Sequence, residues 1–175
     1  MNMEGLRKRP KWNEYFLKIA MDVAERGTCK RRVYGAVIVD QDKRIISTGY
    51  CGNPHGTQNC CEIPGPCFRE VLNIPSGKNY DSCHSIHAEE NAIMNAGRDR
   101  VKGCNLYISG KLLSTGEEVE GKPCQKCMER IVNAGIEKVI TKTKKGVEEY
   151  LVDLWKEGIS QNVRDNYKEI EKKKK

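Results

Sequence analysis

The chain has 175 residues, of which 38% are apolar, 31% charged and only 6% aromatic, so we expect a single domain with an ordinary core. Its formal charge is +7, but Lys172 to Lys175 carry four of these charges, and the remaining +3 selects neither nucleic acid nor a small anion as partner. Because no apolar run approaches the length of a bilayer span and no apolar segment follows the basic N-terminal cluster, we expect neither a membrane helix nor a secretory signal.

The first part of the chain predicts a helix followed by a hairpin. Apolar residues between Trp12 and Arg26 recur at helical spacing, and Gly27 follows as a stop. Residues 33–40 and 44–50 are rich in β-branched side chains and are separated by three polar residues, which predicts two paired strands.

Residues 51–84 are predicted to form a long loop, because they contain four prolines, four glycines and no sustained periodicity. Loops of this length are uncommon in a compact domain unless they are functional or tied down. This loop carries Cys60, Cys61, Cys67 and Cys83. A metal ion bound by these thiols would explain how so long a loop is held.

The second half of the chain predicts, in order, a helix, a strand, a small hairpin, a helix and a strand at residues 86–96, 105–109, 108–123, 124–134 and 138–141. Residues 147–155 then predict a final packed helix. Residues 160–175 either extend this helix or fray into a basic tail, 168–175, whose terminal lysines we expect to be disordered. The domain core is expected to span about residues 12–158.

Cysteine usage is the unusual feature of the composition. Nine cysteines in a short chain are typical of a disulfide framework in secreted proteins, but we expect no export signal here. An odd number also cannot pair completely. The cysteines therefore predict metal ligands in a reducing compartment, and we expect the protein to be cytoplasmic.

Two short motifs carry the predicted chemistry. His87 and Glu89 form an H-x-E pattern at the start of one predicted helix, and Cys124 and Cys127, preceded by Pro123, form P-C-x-x-C at the start of another. Alone, the first pattern is common on solvated helices, and the second also occurs in redox pairs and zinc ribbons. Together they are the known signature of zinc-dependent nucleobase deaminases.

The residue types suit a catalytic zinc site. One imidazole, His87, and two thiolates, Cys124 and Cys127, give three protein ligands and leave the fourth tetrahedral position for water. The positive end of the helix favours both thiolates, and Pro123 needs no amide donor there. Glu89 is predicted to act as the proton carrier, although a surface carboxylate is the alternative interpretation.

The sequence resembles deoxycytidylate (dCMP) deaminases of the cytidine deaminase-like superfamily over roughly residues 12–141. The resemblance includes Cys29 and four segments: 35–39, 45–50, 87–93, and 123–127 with 133–136. It implies an α/β protein with a three-layer α/β/α fold and a mixed sheet of about five strands. It also implies hydrolysis of dCMP to dUMP and ammonia, with the dCMP nucleotide as the small-molecule partner.

The family often has a second, structural zinc ion. The resemblance makes Cys29, Cys60, Cys67 and Cys83 the candidate ligands, with Cys61 and His84 as adjacent substitutes. A closed four-thiolate site would contribute directly to folding. Cys51 and Cys104 are expected to be buried, free thiols.

Regulation and assembly follow from the resemblance in the same way. Members are oligomers controlled by dCTP and dTTP with Mg²⁺, so we expect a homo-oligomer with these effectors. Cys51 stands where members typically have an asparagine that contacts the nucleotide, and Asn53 is offset from that position. Residues 109–122 are also longer than the usual link, and their role is open.

A 5′-phosphate on the substrate would require cationic partners. Arg31, Arg32, Lys78 and Lys122 are candidate partners of a 5′-phosphate, although each also fits a solvated surface charge. Another cytosine nucleoside or nucleotide, or a base in tRNA or single-stranded DNA, is the alternative substrate. We do not expect nucleic acid, because no basic stripe is interleaved with aromatic residues. A zinc-binding module without catalysis is the remaining class.

Overall fold

The fold is built on a six-stranded mixed sheet in a computed structural model that describes residues 8–75, 79 and 82–173, with side chains described as far as residue 169. The strands are β1 (Arg32–Val39), β2 (Ile45–Tyr50), β3 (Asn105–Leu112), β4 (Glu118–Val119), β5 (Lys138–Thr143) and β6 (Gly146–Leu151). Their order is β2-β1-β3-β5-β6, with β4 paired to β3. The β3–β5 pair is parallel and the other pairs are antiparallel. The predicted mixed sheet is thus confirmed, with six strands.

Helices cover both faces of the sheet and confirm the expected three layers. They are α1 (Trp12–Ala24), α2 (Phe68–Val71), α3 (Ala88–Ala96), α4 (Arg98–Val101), α5 (Gln125–Ala134) and α6 (Asp153–Lys173). On one face, α1 packs Phe16 against Tyr107 of β3, with ring centroids 5.0 Å apart. On the opposite face, α3 and α5 pack on the buried side chains of β1 and β3. Within the described ranges, no helix combines the length and apolar character that a membrane span requires.

The C-terminal part of the chain differs from the sequence prediction. The prediction of a helix at residues 147–155 is wrong, because Gly146–Leu151 forms the edge strand β6 and the last helix, α6, begins only at Asp153. The apolar residues there fit helical spacing, but the open edge of β5 offers a full row of backbone partners, and pairing with it prevails. The following helix reaches Lys173, so residues 160–173 extend it, which is the first of the two predicted alternatives; Lys174 and Lys175 lie outside the described residues.

The predicted long loop is confirmed, with small elements inside it. Cys60–Glu62 forms one 3₁₀ turn, α2 follows, and Gly52 pairs with Ile86 where the loop closes. The predicted hairpin at residues 108–123 is also confirmed, because β4 folds back on β3.

Helix α3 lies unusually close to β2, and this contact fixes the start of the helix. The Asn91 and Asn95 side chains donate hydrogen bonds to carbonyl groups of β2, and the Ser47 hydroxyl of β2 donates to the Ala92 carbonyl at 2.7 Å. Gly49 makes the approach feasible. A Cβ atom there would lie 2.3 Å from the Ala92 nitrogen and 2.4 Å from the Ala88 oxygen.

We expect Gly49→Ala to lower the free energy of unfolding by about 2–3 kcal/mol, because the added methyl group must push α3 away from the sheet. Urea unfolding followed by circular dichroism measures this loss. The control is Gly158→Ala in α6, where a Cβ meets no neighbour and alanine should stabilise the helix by about 0.5–1 kcal/mol. Equal effects of the two substitutions would show that the contact between α3 and β2 is not tight.

Candidate active site

Three metal-ligating side chains meet where the N-termini of α3 and α5 converge. His87 is the residue preceding α3, and Cys124 and Cys127 lie at the start of α5. The His87 Nδ1 atom is 3.6 Å from the Cys124 Sγ atom and 3.3 Å from the Cys127 Sγ atom. Among the described residues, this is the one group whose ligand atoms all lie within 4.8 Å of one another. The structure therefore brings together the three residues that the motifs predicted.

The donor set fits a zinc ion. Two thiolates and one imidazole are ligands that Zn²⁺ prefers, and three protein ligands are typical of catalytic sites. The Cys127 amide also donates to the Cys124 Sγ atom at 3.4 Å, which orients that sulfur. His87 and Cys124 line a cavity, so the group is open on one side.

The local electrostatics favour an ionised thiol. Hydrogen bonds from the Cys127 thiol, from His87 and from the Cys127 amide lower the pKa of Cys124 to about 3. The same contact with Cys124, together with burial, raises the pKa of Cys127. The hydrogen bond to Cys124 also raises the pKa of His87, against the effect of burial. In the metal-free protein, the negative charge therefore resides on Cys124.

Glu89 is buried beside this group. Only 6% of its surface is exposed, although it lines the cavity together with His87 and Cys124. Burial raises the pKa of its carboxyl group, whereas the neighbouring His87 lowers it. Glu89 is thus not the surface carboxylate of the alternative interpretation, and its environment suits a group that takes up and releases protons.

The cavity is cationic on its other walls. It has a volume of about 470 Å³, which is in the range of small-ligand sites. Arg31, Arg32 and Lys122, three of the four cations predicted to contact a phosphate, line it. Lys78, the fourth, lies outside the described residues.

Arg69 is a cavity residue that the sequence analysis missed. Its side chain is 4% exposed, and its guanidinium donates to the carbonyl oxygens of Asn79 at 2.8 Å and Pro75 at 3.0 Å. These bonds connect α2 to the segment that precedes His87. No local pattern distinguishes this arginine from a solvated one, because its burial depends on how the loop folds.

Cys51 also lines the cavity, but its sulfur is engaged with the backbone of β1. The Tyr34 amide donates to the Cys51 Sγ atom at 3.2 Å, and the thiol donates to the Arg32 carbonyl at 3.7 Å. Burial raises the pKa of Cys51 to about 12. The Asn53 side chain bonds within the loop instead: its NH₂ group donates to the Gln58 carbonyl, and its oxygen accepts from the Cys60 thiol. The prediction that Cys51 and Cys104 are buried, free thiols is confirmed.

The four cysteines predicted to bind a structural zinc ion lie near one another, but their sulfur atoms are not as close together as the ligand atoms of the His87 group. Burial raises the pKa of Cys60, and repulsion from Cys29, Cys83 and Cys67 raises it further, although its bond to Asn53 lowers it. These four thiols therefore share one region at the base of the loop. Their sulfur atoms do not all lie within 4.8 Å of one another, as three ligand atoms of the His87 group do.

The chain belongs to the zinc-binding deaminases. The family described as the cytidine and deoxycytidylate deaminase zinc-binding region matches residues 10–143, which is most of the chain. This span includes both motifs, the long loop and the sheet as far as β5.

Individual relatives agree with this family assignment. The chain is 36% identical over 148 residues to a deoxycytidylate deaminase of Schizosaccharomyces pombe, covering 85% of this chain but only 42% of the yeast protein. It is 36% identical over 136 residues to that of Mycobacterium phage D29, covering 75% of this chain and 94% of the phage protein. A crystal structure of the cyanophage S-TIM5 dCMP deaminase with dCMP and dUMP is similar with a TM-score of 0.52 and 26% identity, covering 76% of this chain and 82% of that one.

In the metal-free protein, we expect alkylation of Cys124 by iodoacetamide to be nearly independent of pH between about pH 5 and pH 9, because a thiol with a pKa of about 3 is already ionised there. Cys51, with its pKa raised to about 12, should stay unlabelled in the folded protein over this range. Timed quenching and peptide mass spectrometry measure both rates. A Cys124 rate that rises steadily up to pH 9 would contradict the described hydrogen bonding.

Proposed function

We propose that the protein hydrolyses dCMP to dUMP and ammonia in a zinc-dependent reaction. The observation that carries this proposal is the buried Glu89 carboxyl group beside His87, Cys124 and Cys127 at one cationic cavity. The matched family and relatives named deoxycytidylate deaminase support the same reaction.

His87, Cys124 and Cys127 are the residues that would hold the catalytic zinc ion. When bound, the ion supplies a Lewis acid that makes water nucleophilic at neutral pH. Glu89 accepts the proton that the attacking water loses and transfers it to the ring nitrogen of cytosine. Glu89 then takes a second proton from the newly attached hydroxyl group and delivers it to the amino group, so that this oxygen becomes a carbonyl, the carbon–nitrogen bond breaks and ammonia leaves.

The cations of the cavity support a nucleotide over a nucleoside. Arg31, Arg32 and Lys122 face a cavity that contains the single described carboxyl group Glu89. The Nε atom of Arg31 is buried and has no hydrogen-bond partner within the described part of the chain. An anionic group of the ligand would satisfy this donor, and a phosphate accepts such bonds from arginine readily. The cyanophage relative was crystallised with the nucleotides dCMP and dUMP, which agrees with this reading.

A second, structural zinc ion on Cys29, Cys60, Cys67 and Cys83 is also part of the proposal. The electrostatic effect of the other three thiols on Cys60 supports it, because it places all four in one region, where a shared cation would relieve their repulsion. Such an ion would draw the four sulfur atoms together and fix the loop that forms one wall of the cavity.

The remaining features of the proposal lie outside the site. A homo-oligomer and control by dCTP and dTTP with Mg²⁺ rest on the family resemblance. A single deaminase domain over residues 1–175 rests on the chain length, and a cytoplasmic location rests on the cysteine usage. The nine cysteines, none of which is paired in a disulfide, are consistent with a reducing compartment.

Glu89→Gln should lower kcat for dCMP by about 10³-fold or more while the zinc content stays unchanged, because the amide keeps the shape of the side chain but cannot carry the proton. Ammonia release measures the rate, and elemental analysis measures the metal. Glu90→Gln is the matched control: it changes the next residue of the same helical turn, whose carboxylate pairs with Arg130 on α5 at 3.0 Å, and it should retain most of the activity.

The substrate panel separates the alternatives. It contains dCMP, CMP, deoxycytidine, dCTP and a short single-stranded DNA, each tested with and without dCTP and Mg²⁺ as activators. A preference for dCMP that is lost in Glu89→Gln supports the proposal. Preference for another member would retain the chemistry but refute dCMP as substrate, and inactivity on every member would favour a binding module without catalysis.

The wild-type protein should contain two zinc ions per chain, and Cys67→Ser should contain one, because this change removes a ligand of the structural site alone. Elemental analysis of the purified full chain gives both numbers. Cys61→Ser, which alters the exposed adjacent thiol, is the control and should retain two. A single zinc ion in the wild type would refute the four-cysteine site and leave the catalytic one intact.

A further inference from the structure

The chain between β4 and α5 packs against the sheet beside the parallel pair of β3 and β5. Gly121 is buried there, and its amide donates a hydrogen bond to the Thr141 Oγ1 atom at 2.9 Å. Thr141 lies on β5 in register with Ile108 of β3 and has no exposed surface. The end of the hairpin at residues 108–123 is therefore fastened to the two inner strands of the sheet.

The packing around Gly121 leaves no freedom for this segment. A Cβ atom at Gly121 would lie 2.5 Å from the Thr141 Oγ1 atom and 2.7 Å from the Ile108 carbonyl oxygen. Pro123, two residues later, is also buried, and its ring fixes its φ angle. Cys124 follows directly as the residue that begins α5. Gly121 and Pro123 are thus two buried anchor points within the three residues that precede Cys124.

We propose that Thr141 is a positioning residue for the metal site. Its hydroxyl group fixes the Gly121 amide and, through the short segment ending at Pro123, holds the Cys124 Sγ atom at its place beside His87. Thr141 does not line the cavity, so it acts through this segment and not on a ligand. The inference rests on the proposed zinc site, and it gives the end of the inserted hairpin a role in placing a metal ligand.

Ser109 offers a control for a purely structural role. It lies next to Ile108 on β3, is 7% exposed, and its hydroxyl donates to the Leu17 carbonyl of α1 at 2.8 Å. Like Thr141, it makes a buried hydroxyl–backbone bond within the sheet core. Its bond lies on the α1 side, away from the metal group, so its loss should affect stability alone.

The test measures the Co²⁺ affinity of the full chain by competition with a chelator. Thiolate-to-cobalt absorption shows which site is filled, because it differs between a two-thiolate and a four-thiolate site. Thr141→Val, which leaves the Gly121 amide buried without a partner, should weaken binding at the two-thiolate site about tenfold. Thr141→Ser should restore wild-type affinity because it keeps the hydroxyl group. Ser109→Ala should lower the unfolding temperature and leave the affinity unchanged.

Unchanged affinity in Thr141→Val, or an equal loss in Ser109→Ala, would overturn the inference. If Thr141→Val does not fold, Thr141→Ala is used instead, because it removes the hydroxyl group without crowding the amide. The inference then requires the same tenfold loss of Co²⁺ affinity in Thr141→Ala. Gly121→Ala should reproduce the loss by steric displacement. A wild-type chain that binds no Co²⁺ at the two-thiolate site would instead refute the proposed catalytic metal, which keeps the two failures distinct.

Discussion

The parallel pairing of β3 with β5 is the constraint on which the site depends. These two strands begin side by side, and the connection between them contains both β4 and α5. The return of α5 over the sheet brings its N-terminus against that of α3, which is held close to β2 by Gly49. Since both helix starts carry metal-ligating side chains, one imidazole and two thiols meet without any contribution from the interior of a helix. The positive ends of two helices also favour the thiolate charge.

The cavity combines two opposite electrostatic environments. Around Glu89, burial opposes the charged form of the carboxyl group, as proton transfer requires. On other walls of the same cavity, arginine and lysine side chains favour an anionic ligand. The long loop after β2 makes this combination feasible, because Arg69 and the cysteine-rich segment provide a separate wall. The proposed function therefore places acid–base chemistry and anion binding on different elements of the fold.

The sequence predicted those parts of the site that depend on local spacing. His87 with Glu89, and Cys124 with Cys127, lie close together along the chain at helix starts, so their side chains must lie near one another once each helix forms. Arg69 and Thr141 could not be found in this way. Arg69 is buried only because the loop wraps around it, and Thr141 meets a backbone amide 20 residues away in sequence.

The misread edge strand has a related cause. Apolar residues of β6 such as Val147 and Leu151 are nearly half exposed, so they carry no burial pattern that distinguishes a strand from a helix. Only the presence of β5 as a pairing partner makes this segment a strand and not a helix. Strand β1 was predictable because it is buried on both faces and forms a nearly continuous apolar run. Strand β3 is also buried, but its polar second half left only residues 105–109 predictable as a strand.

The crossover that joins β3 to β5 also has a consequence for folding. Antiparallel hairpins such as β1–β2 can form from neighbouring residues, whereas a parallel pair must first close a long connection and is slow to form. His87 precedes β3 and Cys124 and Cys127 follow it, so the three side chains of the metal group meet only when α5 packs beside α3. Metal capture is therefore a property of the completed native topology, and a bound ion would stabilise that topology against earlier, partly folded states.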